Sequence, residues 1–342
     1  MDTARRPLGQ KVIFVVLILG FVAFIVYFFL FINPAQVANI LSKTDLFYYI
    51  WAFVAYSLYA FFSSLIWRSL LSNLHLKISL RKALLFTWAG LFFDATVPQL
   101  GWSAEVSKTY LLTKDSSLEA GKIGASVVGQ KIFNMTITVV AMALGLGFLL
   151  AEYSLPLVVT FLISLVLVLS IVTLILVYYI SIRPSATKTL LNWATRILGF
   201  FRKKWNPEGF RQKADRLLGV FHTGMQDLRT DSKALVKPIA YSITSFIFEI
   251  SVTFITFAAL GYAVPVDKVL IVFTLTGVVQ TAGVTFFGFP ELIMSVTFTA
   301  LGIPAALSVS VALLVRVVSL WFRLVVSYVA LQWTGIRILR RK

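Results

Sequence analysis

The chain lacks cysteine and has very few histidines. With no cysteine among its 342 residues, it has no disulfide, no thiol nucleophile and no Cys-ligated metal. The two histidines, His75 and His222, lie far apart, and neither has a carboxylate neighbour at metal-ligand spacing. The sequence also lacks the G-x-x-x-x-G-K-[ST] phosphate loop. We therefore predict no metal site, no cofactor and no ATP-driven pump.

Charged residues are also scarce, and most of them are basic. They form 13% of the chain, whereas soluble domains contain about a quarter. Hydrophobic residues form 59%, and the mean hydropathy is +0.89, which together predict an integral membrane protein. The net charge of +17 fits Lys and Arg on cytoplasmic loops that face anionic lipid. We therefore predict membrane lipids, and not nucleic acid, as partners.

Six long apolar runs are predicted to cross the bilayer as helices. A bilayer core needs about 20 apolar residues for each helical crossing. The first run has this length without a charge, and no A-x-A-like cleavage site follows it, so we interpret it as a retained helix rather than a signal peptide. The six runs are 12–32, 46–66, 123–150, 157–182, 238–263 and 305–333.

Two further apolar stretches, 83–118 and 269–301, are interrupted near the middle. Proline and glycine mark the breaks, namely Pro98 with Gly101 in the first stretch and Gly288 with Pro290 in the second. Each half is too short to cross the bilayer. Two half-helices can enter the membrane and return to the same side when protein or a watery cavity satisfies the backbone at the break. We therefore predict two re-entrant helical hairpins.

The distribution of basic residues supports this topology. With both stretches re-entrant, only Lys43 and Lys268 of the 31 Lys and Arg residues lie outside, three lie within the membrane, and all the others are cytoplasmic. Both termini are then cytoplasmic, and the cell membrane is the predicted location. The basic segment 183–237 is predicted to form amphipathic helices on the cytoplasmic surface, as a solvated linker or as a lipid-headgroup surface.

The chain is predicted to be one all-α, polytopic membrane domain built on an inverted-topology repeat. The order crossing, hairpin, crossing occurs in 46–150 and again in 238–333, and the two units run in opposite directions. Helix 157–182 connects them. Inverted repeats recur among transporters, whose binding site lies where the two units meet near the bilayer midplane.

Charged residues inside the apolar helices repeat with nearly the same spacing. Glu105 precedes Lys131 by 26 positions, and Glu291 precedes Arg316 by 25. An ionised side chain at the centre of a membrane helix costs about 2.5 to 3.5 kcal/mol, so each of these groups needs a partner. One interpretation is mutual neutralisation that only fixes helix register. The other is a polar cavity in which the cations bind a phosphate, while the carboxylates bind an amine or move protons.

Three more intramembrane charges belong to the same analysis. Arg323 lies seven residues beyond Arg316, on nearly the same helical face, unless its side chain extends to the inner interface instead. Asp94 is interpreted as a further cavity residue or as the cap of a half-helix. The sequence does not fix the depth of Glu249 in its helix.

Several short motifs resemble a known family. The first hairpin of the flippase-like family named for the transmembrane region of lysylphosphatidylglycerol synthase is similar to Pro98-Gln-Leu-Gly-Trp-Ser-Ala-Glu105-Val-Ser-Lys108-Thr-Tyr-Leu-Leu112. Its Arg-bearing helix resembles Ser126-Val-Val-Gly-Gln-Lys131, and its second hairpin and last helix resemble Gly288-Phe-Pro-Glu291, Leu301-Gly-Ile-Pro304 and Arg316. The chain departs from the pattern at Lys131, which replaces the Arg, and at Val284, Thr285 and Phe286, which replace Pro-Gly-Gly.

The resemblance implies the movement of a phospholipid or a polyprenyl-phosphate-linked lipid between leaflets. Larger relatives carry a soluble aminoacyl-transfer domain that this sequence lacks, so we expect translocation and no enzymatic synthesis. The predicted substrate-binding residues are Asp94, Glu105, Lys108, Lys131, Glu291, Arg316 and Arg323. Two alternatives remain, an ion- or proton-coupled carrier of a small anion and a non-transporting scaffold for lipid or glycan enzymes. The oligomeric state is not predictable from the sequence.

Overall fold

The protein is built from helices. The computed structural model describes residue 26 and residues 34–96, 102–116, 118–152, 157–201, 207–231, 233–281 and 288–339, and these ranges contain no strand. The all-α prediction is therefore confirmed. The α-helices are α1 (Pro34–Ser42), α2 (Leu46–Asn73), α3 (Leu80–Thr96), α4 (Ser103–Asp115), α5 (Ala120–Glu152), α6 (Leu157–Ile182), α7 (Pro184–Phe201), α8 (Pro207–Thr230), α9 (Val236–Ala259), α10 (Val266–Thr281), α11 (Phe289–Ala300), α12 (Ala305–Arg316) and α13 (Arg323–Leu339).

Five helical segments of the described chain are long and apolar enough to cross a membrane. They coincide with five of the six predicted crossings, and they are Leu46–Asn73, Ala120–Ala151, Ser164–Ile182, Lys233–Ala259 and Ala305–Gly335. The last of these joins α12 to α13 through a π-helical segment. The sixth predicted crossing, 12–32, lies almost wholly outside the described residues.

Helices α2 and α9 pack side by side in opposite directions. The backbone N–H of Asp45, just before α2, donates to the carbonyl oxygen of Ala259 at the end of α9, over 2.8 Å. At the other end of the pair, the side-chain amide of Asn73 donates to the carbonyl oxygen of Ala234 over 3.0 Å. The beginning of each helix therefore lies beside the end of the other, which makes the pair antiparallel.

Equivalent residues of the two units contact each other along this pair. Near the middle of the pair, the hydroxyl of Ser245 donates to the carbonyl oxygen of Tyr59 over 3.1 Å. These two residues are 186 positions apart, the same separation as between Glu105 and Glu291. The rings of Phe62 and Phe248, separated by the same 186 positions, stack with centroids 5.5 Å apart. Both contacts therefore join positions of α2 and α9 that are 186 residues apart in the chain.

Helices α3 and α4 form a pair that folds back on itself, and so do α10 and α11. In the first pair, the amine of Lys82 at the start of α3 lies 2.7 Å from a carboxylate oxygen of Asp115 at the end of α4. In the second pair, the amine of Lys268 at the start of α10 donates over 2.7 Å to the carbonyl oxygen of Leu301, just after α11. These four helices have 17, 13, 16 and 12 residues, so each is shorter than the ~30 Å hydrocarbon core.

The tips of the two hairpins are described only in part. The predicted turn residues Pro98 and Gly101 lie outside the described residues. In the second hairpin, Gly288 has φ 107°, a left-handed conformation that favours glycine, and it immediately precedes α11. Pro290 lies in the first turn of α11, where its missing N–H costs no helical hydrogen bond.

The two hairpins open toward opposite ends of the α2 and α9 pair. The first hairpin follows the end of α2 after residues 74–79, and the second follows the end of α9 after residues 260–265. Since α2 and α9 are antiparallel, their final residues lie at opposite ends of the molecule. Each hairpin also packs its first helix against the last helix of the other unit, α3 against α13 and α10 against α5, so the two units interlock.

Candidate functional site

A cavity lies between the two units and contains charged residues from both. It encloses ≈ 1120 Å³ when counted together with its open mouth. Helices α2 and α3 of the first unit contribute part of the wall, and α9 to α13 of the second unit contribute the rest. The charged residues among its lining are Asp94, Glu249, Glu291, Arg316 and Arg323. Glu249, Glu291 and Arg316 come from helices that also contribute apolar lining, whereas α3 and α13 contribute only Asp94 and Arg323 among the described lining residues.

The pair formed by Arg316 and Glu291 is the more buried of two ion pairs in this cavity. The Nε atom of Arg316 lies 2.8 Å from Oε1 of Glu291, and their side chains are 9% and 1% exposed. The second carboxylate oxygen accepts a hydrogen bond from the backbone N–H of Gly288 over 2.9 Å. Glu291 lies in the first turn of α11, where the helix dipole favours a negative charge. The carboxylate therefore holds the guanidinium at the start of a half-helix.

The pair formed by Arg323 and Asp94 is longer and more exposed than the pair of Arg316 with Glu291. The Nη1 atom of Arg323 lies 3.5 Å from Oδ2 of Asp94, and their side chains are 14% and 29% exposed. Asp94 belongs to α3 of the first unit and Arg323 to α13 of the second, so this contact bridges the two units. An ion pair that is longer and more exposed is weaker than the pair of Arg316 with Glu291. The Arg323 guanidinium can therefore leave Asp94 for another anion more easily than Arg316 can leave Glu291.

The helix that carries both arginines is not α-helical between them. Residues Val317–Phe322 form a π-helical segment, a rare conformation that is frequent at functional sites. One turn earlier, the hydroxyl of Tyr49 donates to the carbonyl oxygen of Leu314 over 2.7 Å. Both arginines line the same cavity as their seven-residue spacing predicted, but the α-helical period used for that prediction does not hold between them.

Glu249 is the residue whose role the sequence analysis left open. It lies in α9, its side chain is half-buried, and it lines the cavity together with Tyr56 and Tyr59 of α2. The residues near Glu249 in α9 are apolar or carry hydroxyl groups, so the sequence shows no charged partner for Glu249 at helical spacing. Glu249 lies in the cavity because α9 packs against α2.

The equivalent ion pair of the first unit lies apart from this cavity. The Nζ atom of Lys131 lies 3.4 Å from Oε1 of Glu105, with side chains 22% and 14% exposed. The same Nζ atom lies 5.4 Å from the ring centroid of Trp102, which is a cation–π distance. Neither member of the pair is among the described residues that line the cavity.

Lys108 is held in the protein interior. Its side chain donates to the amide oxygen of Gln130 over 2.9 Å, and the residue is 5% exposed. The amide nitrogen of Gln130 donates in turn to the backbone carbonyl and the hydroxyl of Ser63, over 2.9 and 3.0 Å. The ammonium group also lies 5.5 Å from the ring centroid of Trp67. The Lys108 ammonium group therefore has both a hydrogen-bond partner and an aromatic partner within the protein.

Comparison with known proteins places the chain in a family. The family model described as the lysylphosphatidylglycerol synthase TM region matches residues 12–327, which is most of the chain. The chain belongs to the lysylphosphatidylglycerol synthase TM family. The resemblance predicted from the short motifs is therefore confirmed. No solved structure gives a significant match to the chain.

Archaeal members of the set called UPF0104 membrane proteins match this family member over nearly its whole length. The protein from Methanocaldococcus jannaschii is 26% identical over 326 residues, which cover 93% of each chain. The protein from Pyrococcus horikoshii is 25% identical over 293 residues, which cover 83% of this chain and 86% of that protein. A third, from Methanothermobacter thermautotrophicus, is 22% identical over 331 residues, covering 94% and 95%.

The structure divides the predicted substrate-binding residues of this family member into groups. It brings together Asp94, Glu291, Arg316 and Arg323 in one cavity, and it adds Glu249 to them. Glu105, Lys131 and Lys108 are not among the described residues that line this cavity. Within the described ranges, no group of three or more His, Asp or Glu residues is arranged to hold a metal ion. The chemistry offered by the cavity is therefore that of two guanidiniums and three carboxyl groups.

Proposed function

We propose that this membrane protein moves a phosphate-bearing lipid between the two leaflets. The headgroup passes through the cavity between the two units, and the hydrocarbon tails remain in the surrounding lipid. The observation that carries the proposal is the presence of Arg316 and Arg323 in one cavity, within a helical segment long enough to cross a membrane. No covalent step is part of the proposed activity.

Phosphate recognition follows from the chemistry of the guanidinium group. Its planar fork of N–H donors matches phosphate oxygens in a bidentate arrangement, and it is less strongly hydrated than an ammonium group. A phosphate that crosses hydrocarbon without such partners bears the full cost of losing its water. Arg323, whose contact with Asp94 is 3.5 Å long, is the guanidinium we assign to the first encounter with the headgroup.

The arrangement of the hairpins supports a transport cycle. The proposed topology has six crossings and two re-entrant hairpins, with both termini in the cytoplasm and the protein in the cell membrane. Because the hairpins open toward opposite ends of the α2 and α9 pair, we assign one to each side of the bilayer. Rocking of one unit against the other would then expose the cavity to either side in turn.

The family description supports a lipid as the substrate class. It names the membrane region of a synthase of lysylphosphatidylglycerol, which is a phospholipid. We propose a phospholipid or a polyprenyl-phosphate-linked lipid for this chain, and membrane lipids as its partners. A carrier of a small soluble anion would use the same two arginines, so the experiment below includes an arm for it.

The test uses the full-length protein in phosphatidylcholine liposomes that contain fluorescent phosphatidylglycerol and, in parallel, fluorescent polyprenyl phosphate. Loss of fluorescence to a membrane-impermeant quencher reports movement from the inner leaflet. Arg323→Gln should slow this movement about ten- to a hundredfold, because a hydrogen bond to a charged group contributes about 1.5 to 3 kcal/mol. Arg211→Gln is the matched control, since its exposed guanidinium donates to the side chain of Asn192 over 2.7 Å, and Arg211 is not among the described residues that line the cavity; this variant should keep the parental rate.

Two results would overturn the proposal. One is equal movement of both lipids in liposomes with and without the protein. The other is uptake of inorganic phosphate that depends on Arg323 while neither lipid moves, which would assign the cavity to a small anion. A parental rate in Arg323→Gln would instead remove that residue from the headgroup site.

A further inference from the structure

The cavity contains one more acidic group than basic groups. Its acids are Asp94, Glu249 and Glu291, and its bases are Arg316 and Arg323. The two arginines lie 2.8 and 3.5 Å from Glu291 and Asp94 respectively. None of the ion pairs formed among the described residues includes Glu249. The cavity therefore carries a net negative charge whenever all five groups are ionised.

Glu249 occupies a position where an ionised carboxyl group is unfavourable. It belongs to the segment Lys233–Ala259, which is long and apolar enough to cross a membrane, and its side chain is half-buried. A charged group within such a segment costs several kcal/mol unless it is paired, and a carboxyl group relieves that cost by binding a proton. Tyr56 and Tyr59 line the same cavity, and a tyrosine hydroxyl can hydrogen-bond to a carboxyl group in either protonation state.

An anionic headgroup makes the charge imbalance larger. A phosphate placed between Arg316 and Arg323 adds negative charge to a cavity that already has an excess of it. The repulsion is strong because apolar surroundings screen charges poorly. A proton on Glu249 removes that excess, so the anion and the proton each favour the binding of the other.

We infer that Glu249 is a proton-binding site and that the protein moves one proton together with each anionic lipid. The inference rests on the proposed function. The proton comes from water on one side of the membrane, forms an O–H bond with the carboxylate, and returns to water on the other side. A monoanionic headgroup and its proton then cross without net movement of charge, and a pH gradient determines the direction of lipid movement.

The other charged and titratable groups that face the cavity set the conditions for this proton. They surround Glu249 from five other helices, and they are Tyr56 and Tyr59 on α2, Asp94 on α3, Glu291 on α11, Arg316 on α12 and Arg323 on α13. Asp94 and Glu291 already have arginine partners. Among the described acids of the cavity, Glu249 is the one without an arginine ion pair, so we assign the proton to it.

The first experiment detects the proton without reference to a lipid substrate. Full-length protein in phosphatidylcholine nanodiscs is titrated with acid and followed by infrared spectroscopy, which resolves the carbonyl band of a protonated carboxyl group. A titrating band present in the parent should be absent from Glu249→Gln. It should persist in Glu119→Gln, the matched control, because the Glu119 side chain is 58% exposed beside Lys122. An unchanged band in Glu249→Gln would overturn the proton site.

The second experiment tests the coupling to lipid. Parental protein in phosphatidylcholine liposomes with fluorescent phosphatidylglycerol, whose phosphodiester carries a single negative charge, is given a gradient of one pH unit. One proton for each monoanionic lipid predicts up to about tenfold accumulation in the leaflet on the alkaline side, since one pH unit is a tenfold ratio of proton activity. Glu249→Gln should give equal leaflets, whereas Glu119→Gln should match the parent.

The outcomes separate the two proposals. Lipid movement that ignores the pH gradient in the parent, or that follows a sodium gradient instead, overturns the coupling and leaves the flippase proposal intact. Failure of the parent to move either lipid overturns the flippase proposal and with it the coupling. The infrared titration still decides in that case whether Glu249 binds a proton.

Discussion

The two units share one scaffold but differ at their centres. Glu105 of the first unit and Glu291 of the second lie 186 positions apart, the same separation as between Tyr59 and Ser245, and each pairs with a cation on the next long helix. In the first unit the pair lies under Trp102, whereas the counterpart of that residue is Gly288. The Trp102 ring lies over Lys131. Gly288 has no side chain that could cover Arg316, which lines the cavity.

The residues around the pairs differ in the same sense. The first unit contains a continuous chain of buried hydrogen bonds that runs from Lys108 through Gln130 to Ser63. The counterparts of Lys108 and Ser63 are Met294 and Glu249, and both line the cavity. At these two positions the first unit therefore has residues of the hydrogen-bonded chain, and the second unit has residues that line the cavity.

The largest expected effect tests how differently the two ion pairs are buried. Glu291→Gln leaves Arg316 without its carboxylate in the interior, and removal of one member of a buried pair costs about 3 to 5 kcal/mol. Glu105→Gln breaks a longer and more exposed pair, and should cost about 1 kcal/mol or less. Equilibrium unfolding in mixed micelles measures both. Equal losses would mean that the two sites are not distinguished by burial.

The next effect tests whether the first unit is closed. Lys108→Met gives the first unit the residue found at the equivalent position of the second, and it leaves the amide oxygen of Gln130 without its donor. We expect a loss of about 1 to 3 kcal/mol in stability, with lipid movement per folded molecule unchanged. The control Met294→Leu should cost less than about 1.5 kcal/mol. A large fall in lipid movement in Lys108→Met would place that residue in the headgroup path.

A smaller effect tests the backbone at the opening of the second unit. Gly288 has φ 107°, so Gly288→Ala should destabilise the protein by about 1 to 2 kcal/mol through backbone strain. The matched control is Gly147→Ala, which lies within α5 where an added Cβ has nothing within 4 Å, and helix propensity there favours alanine. Thermal unfolding of the two variants gives the comparison. Equal midpoints would show that the conformation of Gly288 is not needed.

The smallest effect concerns the ring over Lys131. Trp102→Phe keeps an aromatic ring but weakens its attraction for the ammonium group, which contributes about 0.5 to 1 kcal/mol at a partly exposed site. Trp102→Leu removes the attraction entirely while keeping apolar volume, so it should lose more stability than Trp102→Phe. The same order in a background where Lys131 is replaced by Met would contradict the cation–π assignment.

Much of the architecture was predictable because lipid imposes simple rules. Long apolar runs gave the crossings, and the breaks at Gly288 and Pro290 marked the second hairpin. The repeated spacing singled out Glu105 with Lys131 and Glu291 with Arg316, and the cost of an unpaired charge predicted that each needs a partner; the structure shows both as ion pairs. These are local features, and they depend on chain length and on the cost of unpaired charge.

The remaining features depend on how separate helices pack. Asp94 meets Arg323 across the boundary between the units, and Glu249 reaches the cavity because α9 lies against α2. Neither the contact of Asp94 with Arg323 nor the position of Glu249 can be predicted from the helical periodicity of a single segment. Lys108 resembles a site residue by motif, yet its side chain donates to Gln130, which is distant in sequence. The π-helical segment Val317–Phe322 has no signature in residue type.

The contacts between α2 and α9 at positions 186 residues apart have a consequence for how such a protein can arise. Tyr59 with Ser245, and Phe62 with Phe248, join equivalent positions of antiparallel helices. Two separate copies of a half-length chain, inserted in opposite orientations, would bring the same positions together as a homodimer. Gene duplication and fusion would then need only a connecting helix such as α6, and the fused halves would be free to diverge into one that stays sealed and one that accepts cargo.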